Sequence, residues 1–209
     1  MCIRDRPKNI ISFWLGASAT SPDNALARKS FWYDGGERVD QEIRVRFAAI
    51  LERALNFELD DWVDDPAGAL ALILLLDQFT RNLFRNTSKA YSGDEAAMSY
   101  LRVAIMTGVS LKLNVVSTIW LHHPLHHSES LKDQEMGLDV LKTLRAECDD
   151  NWLGYVDRSI KGWEGHWKII KEFGRFPHRN VVLTRKSSTE EALFLSCRSV
   201  SFGQGPKWL

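Results

Sequence analysis

The sequence predicts an all-α protein, an array of about seven or eight antiparallel helices joined by short connections. Three observations carry that prediction. Apolar residues recur at helical spacing along most of the chain, and no convincing alternating run marks a strand. Helix-start signals recur at Asp65-Pro66, Ser92-Gly93-Asp94-Glu95, Ser130 and Ser188-Thr189-Glu190-Glu191. Gly108 and Gly174 stand where periodic segments end. No strict repeat of about 34 residues is visible.

Taken in order, a first helix covers Lys8 to Leu15. Gly16 to Gly36 is polar and contains glycine, so it reads as a loop, with a helical turn around Ala25 to Trp32. The next helix runs from Asp40 to Asn56, with Ile43, Phe47, Ile50 and Ala54 on one stripe that Leu51 and Leu55 widen. Asp65 caps and Pro66 opens a helix to Phe84. It is apolar on nearly all sides through Leu76, which marks it as central and buried. Asp94 lies in a capping box that opens a helix to Thr107. Asn114 to His122 follows, with Pro124 as its end or a kink. Ser130 caps an amphipathic helix to Cys148. Trp152 to Phe173 carries Val156, Ile160, Trp163, Trp167 and Ile170 in steps of four and three. A last helix spans Glu190 to Ser196.

The chain has 209 residues, which favours one domain, read as residues 8–198. The opening MCIRDR resembles a translated adaptor sequence, so residues 1–7 are set aside as a non-native scar. Residues 199–209 read as a loose tail. Formal net charge is zero, which gives no global field to recruit nucleic acid or an anionic membrane. The longest apolar run, Ala67 to Leu76, is half the roughly 20 residues that a membrane helix needs. No signal peptide is apparent. Cys2, Cys148 and Cys197 are far apart and in no paired spacing, so no disulfide framework is expected and a cytoplasmic location is.

Several strings carry a resemblance: FWLG at Phe13, LDDW at Leu59, LILLLDQFTRN ending at Asn82, HSE at His127, DQE at Asp133, and FGRFPHRN ending at Asn180. Together they resemble the bacterial domain of unknown function 924 family, over roughly Asn9 to Phe202. The resemblance implies a tetratricopeptide-like helical array and no established activity. Thr80 stands where the family usually has Pro, and Ser130 where Asp is common. Trp163 to Lys168 is unusually rich in Trp. His122, His123 and His126 do not match the family pattern.

Two motifs, DQFTRN (Asp77 to Asn82) and GRFPHRN (Gly174 to Asn180), each place an aromatic ahead of an Arg-Asn pair at a helix end. Asp77 and Arg81 are four apart and share a helix face, as do Gln78 and Asn82. Two uses are open. The motifs are a structural lock, because stranding one member of a buried ion pair is costly. Or they line a pocket in which Arg81 and Arg179 offer forked donors to a carboxylate or phosphate. Pro177 sets a defined turn that either aims His178 and Arg179 into a cleft or only connects helices.

HHPLHH, His122 to His127, invites a metal, but the spacing is neither HExxH nor a Cys/His finger, so none is expected. His127 with Glu129 is a better pair, since a carboxylate orients an imidazole. His166 reads as a boundary histidine, and the tryptophans as core. Arg85, Lys89, Arg185 and Lys186 form an anion-binding rim or a solvated loop. No nucleophile elbow, phosphate loop or dinucleotide fingerprint occurs, and no cofactor is expected.

The leading expectation is a binding protein for a small anionic molecule or an acidic peptide end. Its pocket is built from Asp77, Gln78, Arg81, Asn82, His127, Glu129, Arg175, His178, Arg179 and Asn180. The alternatives are a hydrolase or transferase, with His127 or His178 as general base and Glu129 as its orienter, and a purely structural interaction module. Nothing in the sequence sets the oligomeric state.

Overall fold

The computed structural model of the chain describes residues 7–197, and among these the secondary structure is helical with no strand. Residues 1–6 of the scar and the whole tail assigned from sequence, 199–209, lie outside the described residues, and Pro7 opens the first helix. The α-helices are α1 (Pro7–Leu15), α2 (Pro22–Asp34), α3 (Gly36–Leu55), α4 (Pro66–Ile73), α5 (Thr80–Leu83), α6 (Asp94–Met106), α7 (Val115–Leu121), α8 (His123–His127), α9 (Leu131–Glu147), α10 (Leu153–Phe173) and α11 (Thr189–Cys197). The all-α class is established; the tetratricopeptide-like description rests on the resemblance alone. No helix among the described residues is long and apolar enough to cross a membrane.

The central element is α4. Asp65 Oδ2 accepts the Ala67 and Gly68 backbone N–H groups at 3.0 Å, and Pro66 needs no partner for the N–H it lacks. Every side chain from Ala69 to Leu76 is at most 1% exposed. The rod meets α1 and α3 as well as α6 and α7, so no face is left for solvent. Each fully buried leucine contributes about 1.5–3 kcal/mol. Truncating Leu74 to Ala therefore costs about 2–5 kcal/mol. The rod continues through a π-helical segment, Leu74–Phe79, into α5. The all-round apolar pattern gives no sign of that change in pitch.

Two expectations are corrected. The stretch read as a loop with one turn holds α2, of 13 residues. Ser21 Oγ caps it, and Trp32 Nε1 donates to the Trp14 carbonyl at 2.8 Å. Tertiary bonding thus extends a weakly amphipathic segment. The capping box at Ser92 is not formed, since Ser92 Oγ donates to the Lys89 carbonyl instead. Gly93 is there for close approach. A Cβ at Gly93 would lie 2.2 Å from the Leu76 carbonyl oxygen, so only glycine lets the start of α6 press on the π segment.

Pro124 splits the predicted Asn114–His122 region from a second short helix, α8. Helices α9 and α10 pair antiparallel: Gly137 faces Trp163, and Arg145 bonds Asp157 nearer the connection. Gly174, at φ 68°, ends α10 in a left-handed conformation that suits glycine. The last capping box is reciprocal, with Ser188 Oγ accepting from Glu191 N–H and Glu191 Oε2 accepting from Ser188 N–H.

Candidate functional site

The π segment sets the first wall. Asp77 is fully buried, and both its carboxylate oxygens accept the His127 Nδ1–H, at 2.8 and 2.9 Å. Gln78 Nε2 also donates to Asp77. One helical turn on, Arg81 Nη1 lies 3.3 Å from Asp77 Oδ1 and donates to the Asp77 carbonyl at 2.6 Å. Arg81 then grips Asp94 with two bonds, 2.7 and 3.0 Å. Burial opposes the Arg81 charge, but Asp77 and Asp94 outweigh it and raise its pKa. Gly93 brings Asp94 to this place by its close approach to Leu76. Asn82 turns the other way and donates to Asp40 at 2.7 Å, beside Arg85.

The second motif divides. Phe176 is extended ahead of Pro177, and a 3₁₀ turn, Pro177–Arg179, follows. Glu129 and Arg185 clamp that turn. Glu129 Oε1 accepts the Phe176 N–H at 2.8 Å, Arg185 donates to the Phe176 carbonyl at 3.1 Å, and the two side chains share two bonds. Burial pushes the Glu129 pKa up, but Arg185 and the Phe176 N–H outweigh it and bring the pKa below the usual range. Asn180 and Arg175 both bind Glu191 of α11.

Arg179 is left on the inner side. It is 6% exposed, and its Nη2 donates to the His127 carbonyl at 2.9 Å. Its Nη1 is 3.9 Å from Asp94, and its Nε is buried without a hydrogen-bond partner among the described residues. Its guanidinium lies over the Tyr91 and Phe176 rings, 4.7 and 4.4 Å from their centroids. Burial first, then Arg81, pulls its pKa below the ordinary arginine value.

These side chains surround a cavity of about 270 Å³. Arg81, Arg179, Tyr91, His127 and His178 line it, as do Trp14, Trp32 and Trp120, and His123, His126 and His166. His127 and Arg179 also face a neighbouring crevice that contains Asp94 and Glu129. The histidines form a connected set. His126 Nδ1 is 2.9 Å from His166 Nδ1, and His123 stacks on Trp120 at 4.2 Å. Burial is the first cause that keeps them neutral. It lowers His123 to about 4 and His166 and His178 to about 3, and His127 goes well below its usual value with help from Arg81. With Nδ1–H donated to Asp77, the neutral His127 ring keeps its Nε2 lone pair for the cavity. Among the described residues no group of three or more His, Cys, Asp or Glu side chains is placed to hold a metal ion.

The family model described as "Bacterial protein of unknown function (DUF924)" matches residues 10–198. The chain belongs to the DUF924 family. A solved structure, that of a protein of unknown function from Agrobacterium tumefaciens, is similar at 30% identity and a TM-score of 0.73, covering 92% of this chain and 97% of the other. A search of curated proteins returns no match.

In this DUF924 protein the two motifs do meet at one cavity, through Arg81 and Arg179, with Gln78, Asn82, His127 and His178 also on its wall. Asp77 stands behind His127. Arg175 and Asn180 do not line the cavity; they dock α11. Glu129 is not the orienter of His127: it is bonded to Arg185 and Phe176, and Asp77 takes the orienting role. Arg85 and Arg185 are paired with Asp40 and Glu129, and Arg85 also lines the cavity. Sequence reasoning missed Asp94, Tyr91, His123 and His126. The repeated histidines of HHPLHH were the available signal. Its weight was hidden because Pro124 starts a second helix and turns these rings toward His166.

Proposed function

We propose that this protein binds a small anionic ligand in the cavity between the two motifs, with Arg179 as the contact for the acid group. The observation that supports this is Arg179 itself. Arg81 has its charge answered by Asp94 and Asp77. Arg179 is equally deep, yet among the described residues its Nε has no hydrogen-bond partner and its ion-pair partner, Asp94, is 3.9 Å from its Nη1. A buried charge with unmet donors is costly unless something completes it, and guanidinium donors suit a carboxylate or phosphate. The small volume favours a small molecule over a peptide end, since ligand pockets span about 300–1,000 Å³.

The test is thermal shift with acetate and inorganic phosphate on the parent protein and on Arg179→Gln. The parent melts at higher temperature with one or both anions, and the variant does not respond. No shift in the parent, or an equal shift in the variant, contradicts the proposal.

The Asp77–His127 pair favours a second reading, a hydrolase or transferase. In it, Nε2 of His127 takes the proton from a water or hydroxyl as that oxygen attacks an ester or phosphoester of the bound substrate. Arg179 stabilises the developing negative charge, and the imidazolium returns the proton to the leaving oxygen. Turnover of p-nitrophenyl acetate or phosphate that His127→Gln abolishes without loss of stability supports it. Equal rates in parent and variant dismiss it.

A further inference from the structure

Away from the two motifs, a groove of about 680 Å³ runs along α9, facing the connection from α6 to α7. It shares no lining residue with the cavity. Its apolar residues are Ile105 near the end of α6, Leu111 and Leu113 of the connection, and Met136, Val140 and Leu144 of α9. Ile105, Leu113 and Leu144 are half-buried and pack on the core, so they fix the floor. Leu111, on the 3₁₀ turn Val109–Lys112, is 87% exposed, and Met136 is 41% exposed. Lone exposed apolar side chains are ordinary, but exposed ones continuous with an apolar groove mark an interaction surface.

The order of residues on α9 gives the groove its shape and its sign. Met136, Val140 and Leu144 are four apart and form one ridge. Glu135, Asp139 and Glu147 fall on steps of four and eight one position round, and all three are exposed on the groove wall. Lys132 is the one lysine or arginine among the described wall residues. Asp139 also meets Lys142 at 3.0 Å, an exposed pair of little strength, and Arg145 is taken up by Asp157. An apolar strip therefore runs beside an acidic one from Lys132 to Glu147, about four helical turns or roughly 22 Å.

Charge decides between occupants. A second copy of the chain, paired by a two-fold axis, would set the same acidic row against itself, and opposed like charges cost affinity. An anionic lipid surface is repelled in the same way. A basic helix gains from both strips at once. We propose that the groove binds an amphipathic helix of a partner protein, with its apolar stripe on Leu111, Met136, Val140 and Leu144 and its lysines or arginines toward Glu135, Asp139 and Glu147. Helix-in-groove docking of this kind reads side chains at helical spacing, and α9 offers about the length of three to four turns. This surface is independent of any anion bound in the cavity.

The test is fluorescence anisotropy with labelled peptides of about 14 residues, roughly 21 Å as a helix. One carries leucine and lysine at amphipathic helical spacing, one is its scramble, and one has glutamate in place of lysine. The ordered leucine–lysine peptide binds the parent about tenfold tighter than either of the others. Leu111→Asp and Met136→Asp each weaken it about tenfold and melt with the parent, since both side chains are already open to water. Glu135→Lys combined with Glu147→Lys also weakens it about tenfold and turns the preference toward the leucine–glutamate peptide. Equal affinity for the ordered and scrambled peptides, or for the lysine and glutamate ones, overturns the proposal. So does an affinity that neither Leu111→Asp nor Met136→Asp changes, or the absence of binding. A parent that is dimeric by light scattering and monomeric as Leu111→Asp assigns the groove to a second copy, and phosphatidylserine vesicles bound by the parent and not by Leu111→Asp assign it to a membrane; either result overturns it.

Discussion

Asp77 and His127 stand 50 residues apart in sequence and meet in one hydrogen-bonded pair, with both carboxylate oxygens on Nδ1 at 2.8 and 2.9 Å. This bond fixes the tautomer of His127. It places the proton on Nδ1 and leaves Nε2 an acceptor. The same carboxylate holds Gln78 and part of the Arg81 charge. Asp77 is thus both a keystone of the α4 rod and the setter of the cavity's chemistry.

Replacing Asp77 with Asn removes a buried charge that Arg81 and His127 both use. Breaking a buried pair in this way costs about 3–5 kcal/mol, to be read from urea unfolding. Ring-nitrogen NMR of the parent shows His127 as the Nδ1–H tautomer, and the variant shows a mixture. An Nε2–H tautomer in the parent would sink the assignment.

Acid weakens this fold early. All six histidines have pKa values below the ordinary 6.5, with burial the first cause for each, and three fall to about 3 or 4. The unfolded chain binds protons near pH 6.5 that the folded chain refuses until far lower pH. The contribution is fully present above about pH 6.5 and is lost as pH falls toward 4 and 3. Melting temperature drops steadily below pH 6.5, with uptake of about three or more protons on unfolding. A flat melting temperature between pH 7 and 5 contradicts this.

The lock at α11 separates from the cavity. Glu191 gathers Arg175, Asn180 and the Ser188 N–H, and none of these lines the cavity. Glu191→Gln lowers the melting temperature by about 2–4 °C and leaves any anion-induced shift as large as in the parent. A lost ligand response in Glu191→Gln would show that the two halves of the second motif act together.

Local signals in the sequence were accurate where one segment decides its own structure. Asp65, Ser130 and Ser188 cap helices as their side chains predict, and Asp77 pairs with Arg81 four residues on. The errors lie where a distant segment decides. Helix α2 is held by the Trp14 carbonyl, Asp94 is delivered by the contact between Gly93 and Leu76, and Glu129 is claimed by Arg185 from 56 residues away. The π segment was invisible because an all-apolar run has no period to shift. The two Arg-Asn motifs were legible as one location. Their division of labour was not, since it depends on which carboxylate each arginine reaches.

The central claim is that Arg179, and not Arg81, receives an anion. The most direct measurement is NMR of the arginine Nε–H groups during titration with benzoate or acetate. The account predicts that the Arg179 Nε–H signal moves as its guanidinium gains an acceptor, while the Arg81 Nε–H signal stays in place, because Asp94 already holds that guanidinium through Nη1 and Nη2. An Arg179 signal that does not move when either anion binds, or movement at Arg81 alone, would contradict it.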